Sequence, residues 1–112
     1  MEHYLAVAKE AVAEKKGLDP VILDLKGISG VTDYFIICSG RTTVQVRAIV
    51  DNIITRMQEA GYVLPPKEGY QEGHWILLDY GNLVIHVLLE TVREYYGLES
   101  LWHDAPQVAL SQ

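Results

Sequence analysis

The sequence contains a single cysteine, Cys38, so no internal disulfide can form, and the chain suits a reducing compartment. Long apolar runs are missing as well. None exceeds five residues, the length of the run at 34–38, against the ~18 or more that a membrane-spanning helix needs. The first residues show no basic start followed by an apolar stretch, which argues against a secretory signal and makes a soluble, cytoplasmic protein the expectation. Basic side chains are scarce in the second half. Residues 61–112 hold 2 basic against 7 acidic groups, residues 1–60 hold 7 against 8, and the net charge is −6. An acidic surface repels phosphate backbones, so little or no direct nucleic-acid contact is expected, whereas a basic protein would be drawn in.

Motifs for catalysis and cofactors are also lacking. Neither G-x-x-x-x-G-K-[ST] nor G-x-G-x-x-G occurs, so Ser39-Gly40 reads as a strand-to-helix turn and not as a phosphate loop. His3, His74, His86 and His103 are scattered, with no H-x-x-x-H or C-x-x-C spacing, and no metal or cofactor is expected. Cys38 lies in an apolar run, where a thiol is inert, and Ser39 has no G-x-S-x-G elbow around it. No acid–base pair is marked among Asp24, Asp33 and Asp79, although folding could bring two of them together. The chain reads as a binding protein and not an enzyme.

What is present is a globular balance of 49% apolar and 21% charged residues in 112 positions, enough for one domain over residues 1–112. Residues 2–16 predict a helix, with Leu5, Ala8 and Val12 on one face and Gly17 as the stop. Asp19-Pro20 predicts a turn, residues 21–25 a strand, and residues 34–38 a strand covered on both faces. Thr42 or Thr43 can cap a helix running to Ala60, where Val46, Ile49, Val50, Ile53, Ile54 and Met57 recur every three or four residues. Pro65-Pro66 and Gly69 mark a loop or irregular edge strand. Trp75–Asp79 and Leu83–Leu89, joined by Tyr80-Gly81-Asn82, predict an antiparallel hairpin. Residues 91–96 predict a short helix ended by Gly97, and Leu98–Trp102 another helical turn. The tail after Pro106 is expected to be loose. The order α, β, β, α, irregular edge, β, β, α predicts an α/β fold: a mixed β-sheet flanked by helices.

The aromatic residues are unevenly placed. Trp75, Tyr80, Tyr95, Tyr96 and Trp102 are five of the ten in the chain and fall within 28 positions, interleaved with acidic residues and Arg93. Trp, Tyr and Arg dominate binding hot spots, although aromatic residues also fill cores. Tyr95 and Tyr96 are adjacent and cannot both face a core from a helix, so at least one is expected to be exposed. His86, inside an apolar strand, reads as a hydrogen-bonded or interface residue. The expected partner-binding face comprises Trp75, Asp79, Tyr80, His86, Arg93, Tyr96 and Trp102, with the polar side of the preceding long helix, Arg47 and Arg56, as the next surface to consider.

Three segments carry a resemblance. Asp33-Tyr34-Phe35-Ile36-Ile37-Cys38-Ser39-Gly40 is one. Trp75-Ile76-Leu77-Leu78-Asp79-Tyr80-Gly81 followed by Val84-Ile85-His86-Val87 is the second. Arg93-Glu94-Tyr95-Tyr96-Gly97-Leu98-Glu99-Ser100-Leu101-Trp102 with Asp104-Ala105 is the third. Together they resemble the Iojap-like ribosomal silencing factors over nearly the whole chain. The departures are Asn82, where many members have Asp; Gly97, where many have an acidic or other polar residue; and residues 88–91. The resemblance implies a nucleotidyltransferase-like fold without transferase activity. In keeping with that, Ser39-Gly40 reverses the Gly-Ser of active enzymes, and no D-x-D follows it. It also implies binding to the large ribosomal subunit through that subunit's basic fourteenth-numbered protein, a block on joining with the small subunit, repression of translation when nutrients are short, and a homodimer in the free state. The alternatives are a nucleotide-using transferase on the same fold and a large-subunit assembly factor.

Overall fold

The computed structural model describes residues 2–109. Five strands and three α-helices follow one another in the expected order. Helix α1 is His3–Glu14, strand β1 Leu18–Asp24, strand β2 Tyr34–Gly40 and helix α2 Thr43–Glu59. Strands β3 (Lys67–Glu68), β4 (Trp75–Asp79) and β5 (Leu83–Leu89) lead to helix α3, Glu90–Tyr96, and a 3-10 turn at Leu98–Trp102. The strands form one sheet in the order β1-β2-β5-β4-β3. Only β2 and β5 run parallel; the other neighbours are antiparallel, so the sheet is mixed.

Helices α1 and α2 cover one sheet face. Leu5, Ala8, Ala11 and Val12 of α1, with Val46, Ile49, Val50, Ile53 and Met57 of α2, meet Ile36, Cys38, Ile76, Leu78, Ile85 and Val87. Each large side chain buried there contributes about 1.5–3 kcal/mol, and truncating Ile53 to alanine would cost about 2–5 kcal/mol through loss of contacts and the cavity left behind. Thr42 caps α2 by accepting from Gln45 N–H at 3.1 Å. Gly40, just before it, lets the chain turn against the helix, because a Cβ there would lie 3.0 Å from Val46 Cγ2.

Three local expectations need correction. Asp19-Pro20 is not a free turn but a bulge inside β1: the register shifts between Leu18 and Val21, and Asp19 takes φ +46°. The tail after Pro106 is held. Gln107 bridges Leu23, Asp24 N–H donates to Pro106 O, and Val108 N–H donates to Ile22 O. This cover pairs the exposed edge of β1, a task the sequence does not advertise. Residues 110–112 of that tail lie outside the described residues. Helix α1 also ends earlier than expected, at Glu14, with Lys16 rather than Gly17 at positive φ, while Gly17 N–H donates to Val12 O.

Candidate partner-binding face

The second sheet face is only partly covered. Alternation along the strands turns Phe35 and Ile37 of β2, Val84, His86 and Leu88 of β5, and Trp75, Leu77 and Asp79 of β4 to the side away from α1 and α2. Register then sets them in rows: Asp79 beside Val84 beside Phe35, Leu77 beside His86 beside Ile37, and Trp75 beside Leu88 beside Ser39. Leu23, Leu25, Ile37, Leu88, Leu98 and Ala105 form a second small core under α3 and the 3-10 turn. Beyond that cover, the face stays open.

A train of rings crosses it. Tyr95 meets Tyr96 at 5.0 Å between centroids, Tyr96 meets Trp75 at 5.4 Å, and Trp75 meets His86 at 6.0 Å. His86 meets Phe35 at 4.7 Å, and Phe35 meets Trp102 at 5.4 Å, nearly edge-on. Tyr95 is 82% and Tyr96 58% exposed, so both, and not merely one, face outward. Under Trp102 lies a cavity of about 310 Å³, lined largely by apolar side chains including Val31, Phe35, Leu77 and Val84, with Asp79 and His86 among its walls. Val31 in its wall is 88% exposed, and Leu101, next to Trp102 in the chain, is 73% exposed. Apolar surface presented this way, with acid at its rim, is the make-up of a protein-docking face.

Within this face His86 is held by a specific bond. Trp75 Nε1–H donates to His86 Nδ1 at 3.1 Å. An indole nitrogen only donates, so Nδ1 is the acceptor and the neutral ring carries its proton on Nε2. Burial favours that neutral state and pushes the His86 pKa down to about 4. Asp79 is exposed at the end of β4, where its Oδ1 accepts from Gly81 N–H at 2.8 Å and shapes the hairpin turn.

The seven expected residues do not all share the face. Trp75, Asp79, His86, Tyr96 and Trp102 do. Tyr80 does not: its ring packs on the helix-side core, and its hydroxyl is buried with no partner among the described residues. Burial pushes that phenol up to about 12. Strand parity already puts it there: Tyr80 follows Ile76 and Leu78 on the side opposite Trp75 and Asp79, so residue type alone suggested the open face. Arg93 points under α3 instead of outward. Its guanidinium donates to Glu99 at 3.1 and 3.2 Å, to Ser39 Oγ at 2.8 Å and to Leu18 O at 3.3 Å. Phe35, Leu77, Val84 and Val31 were not singled out from the sequence. Once β2 and β5 are paired, strand parity with His86 finds the first three.

The chemistry of the remaining polar groups is limited. Burial pushes the Cys38 thiol up to about 12, which leaves no thiolate near neutral pH. A polar cleft of about 330 Å³ lies beside Ser39, walled by Asp19, Glu90, Glu94 and Glu99, but Arg93 crosses it and takes the Ser39 hydroxyl. Among the described residues, no three His, Cys, Asp or Glu side chains come together as a metal site, and no helix is long and apolar enough to cross a membrane.

The molecule is thus an α/β protein whose mixed sheet is covered by α1 and α2 on one side and keeps an aromatic face partly open on the other. A sequence profile described as "Ribosomal silencing factor during starvation" matches residues 1–112. A ribosomal silencing factor from Halalkalibacterium halodurans is 42% identical over 109 residues, covering 97% of this chain and 93% of that protein. A crystal structure of a protein from Chromobacterium violaceum superposes with a TM-score of 0.88 at 34% identity, covering 92% of this chain and 88% of the other. A mouse protein named "Mitochondrial assembly of ribosomal large subunit protein 1" is 36% identical over 74 residues, 63% of this chain and 32% of that one. The chain belongs to the family of ribosomal silencing factors, regulators of translation.

Proposed function

We propose that this protein binds the large ribosomal subunit through that subunit's fourteenth-numbered protein, blocks joining with the small subunit by its bulk, and so represses translation under nutrient limitation. The observation that carries this reading is the open sheet face, where Tyr96, Trp75, His86, Phe35 and Trp102 line up beside an apolar cavity. Rigid rings supply desolvated anchor area at low entropic cost, and Asp79 at the rim is placed to meet a basic side chain. The acidic second half, 2 basic against 7 acidic groups, suits a basic partner and speeds encounter. The reading needs no cofactor and no metal, and places the protein in the cytoplasm.

In the free state the same apolar face is proposed to pair with a second copy about a two-fold axis. A monomer mass by analytical ultracentrifugation at high micromolar concentration would refute that part. A second reading, a role in assembling the large subunit, draws on the name of the mouse relative. It uses the same face and differs in when the subunit is met.

The test is sedimentation with purified large subunits, followed by addition of small subunits. The protein is expected to travel with the large subunit and to lower the yield of joined ribosomes. Protein left at the top of the gradient, or joining at the control level, would overturn the proposal. Slow large-subunit maturation in depleted cells, with normal joining in vitro, would favour the assembly reading.

A further inference from the structure

The segment after the 3-10 turn passes from one face of the sheet to the other. Ala105 lies in the small core under α3, whereas Val108 packs against the helix-side core. Between them Pro106 and Gln107 cross the edge of β1. There Asp24 N–H donates to Pro106 O at 2.8 Å, Gln107 bridges Leu23, and Val108 N–H donates to Ile22 O at 2.9 Å. Covering a strand edge does not require the chain to change faces. What the crossing adds is an anchor behind the 3-10 turn. The turn is fixed at its front, where Arg93 bonds Glu99. At its rear Ala105 N–H donates to Trp102 O at 2.9 Å, and the chain runs straight into the part paired with β1. Trp102 stands between the two anchors. It is half-buried, meets Phe35 edge-on and walls the apolar cavity.

We propose that residues 105–108 are a positioning clasp for the docking face: their pairing with the edge of β1 holds Trp102 against Phe35 and keeps the cavity formed before a partner arrives. A 3-10 turn is weakly bonded in itself and needs support from outside. Without the rear anchor, Trp102 would spend time away from Phe35 and the cavity would lose a wall. Binding weakens in proportion to the fraction of molecules in which the site is formed, so a clasp raises affinity without touching the partner. Pro106 suits the role, since its ring fixes φ and it supplies the carbonyl that Asp24 N–H needs. Val108 is seated on the side covered by α1 and α2, out of reach of a partner on the open face. Its effect on docking therefore runs through the backbone to Trp102.

This inference rests on the proposed docking face, and the test separates the two. Val108→Pro removes the N–H that Ile22 accepts, and Val108→Ile keeps it. Both are prepared with 5-fluorotryptophan, so that Trp75 and Trp102 each give a ¹⁹F signal. In free Val108→Pro the Trp102 signal is expected to move toward that of a solvent-exposed indole while the Trp75 signal stays. Purified large subunits are expected to be bound about tenfold more weakly. Val108→Ile is expected to match the parent in both respects. A Trp102 signal unmoved in Val108→Pro overturns the inference alone, as does a moved signal with undiminished binding. Failure of the wild-type protein to bind large subunits overturns the docking face, and with it the purpose of the clasp. Should Val108→Pro not fold, amide exchange in the wild type decides. Coupling is reciprocal, so the purified fourteenth-numbered protein of the large subunit is expected to slow exchange at Val108 and Asp24 N–H, and unchanged exchange in the complex overturns the inference.

Discussion

Replacing Arg93 by alanine tests what holds the last helix to the sheet. The side chain is 11% exposed and bonds Glu99 twice, the Ser39 hydroxyl and the Leu18 carbonyl, so it joins α3, the 3-10 turn, β1 and β2 at one point. Glu99 is 40% exposed and rehydrates when the arginine is lost, which discounts the ion pair. Ser39 is buried with Arg93 in place, and water entering from the cleft replaces only part of a charge-assisted bond. Loss of a charged bond to a buried hydroxyl, plus a weaker one to a carbonyl, comes to about 2–3 kcal/mol. For a chain of this size about 1 kcal/mol shifts the melting temperature by about 4 °C, so Arg93→Ala is expected to melt about 10 °C lower. Arg93→Lys keeps the charge but not the fork and is expected to recover less than half of that. Thermal unfolding followed by circular dichroism reads both. A shift below about 2 °C for Arg93→Ala would refute the reasoning and return Arg93 to the list of partner contacts.

Three further outcomes follow from the same structure. His86 has a folded pKa of about 4 against an ordinary 6.5, so the unfolded chain binds the extra proton and stability falls as pH drops between those values. The loss approaches about 3 kcal/mol, and denaturant midpoints of the wild type and His86→Phe that fall in parallel would contradict it. Association with large subunits is expected to slow as salt rises from about 50 to about 500 mM, because exposed charges are screened within about 10 Å at 0.1 M; a flat on-rate leaves the encounter to apolar contact. No nucleotidyl transfer is expected with any nucleotide and Mg²⁺ or Mn²⁺, and product formation that disappears in Asp79→Ala would overturn this.

Much of the fold is legible because its signals are local. The period of Val46, Ile49, Val50, Ile53 and Met57 defines α2 and the face it buries, and Thr42 marks its start. Two apolar runs separated by Tyr80-Gly81-Asn82 define the hairpin. The bulge at Asp19 and the bridge from Gln107 to Leu23 are not local. Each answers a need of the β1 edge that only the assembled sheet creates. The proposed binding face divides the same way. Trp75, Asp79 and His86 fall on one side of the hairpin by parity. Phe35 joins them only through the parallel pairing of β2 with β5, across a separation no spacing rule spans. Arg93 was placed outward by residue type, but a guanidinium with four acceptors in reach is held where they are.

The central claim is that the open aromatic face holds the large subunit. Co-sedimentation of Tyr96→Ala and Asp79→Ala with purified large subunits tests it most directly. Tyr96 is exposed and Asp79 lies at the strand end, so neither change opens the core, although Asp79→Ala gives up the turn bond from Gly81 N–H, about 1 kcal/mol. Truncation of an anchor costs about 2 kcal/mol or more, about thirtyfold in affinity. Tyr96→Ala is expected to keep the wild-type melting temperature and Asp79→Ala to lose about 4 °C with its turn bond, and both are expected to bind about thirtyfold more weakly and to let small subunits join. If both still hold large subunits and block joining as well as the parent, the binding face lies elsewhere, and the polar side of α2 around Arg47 is the next to test.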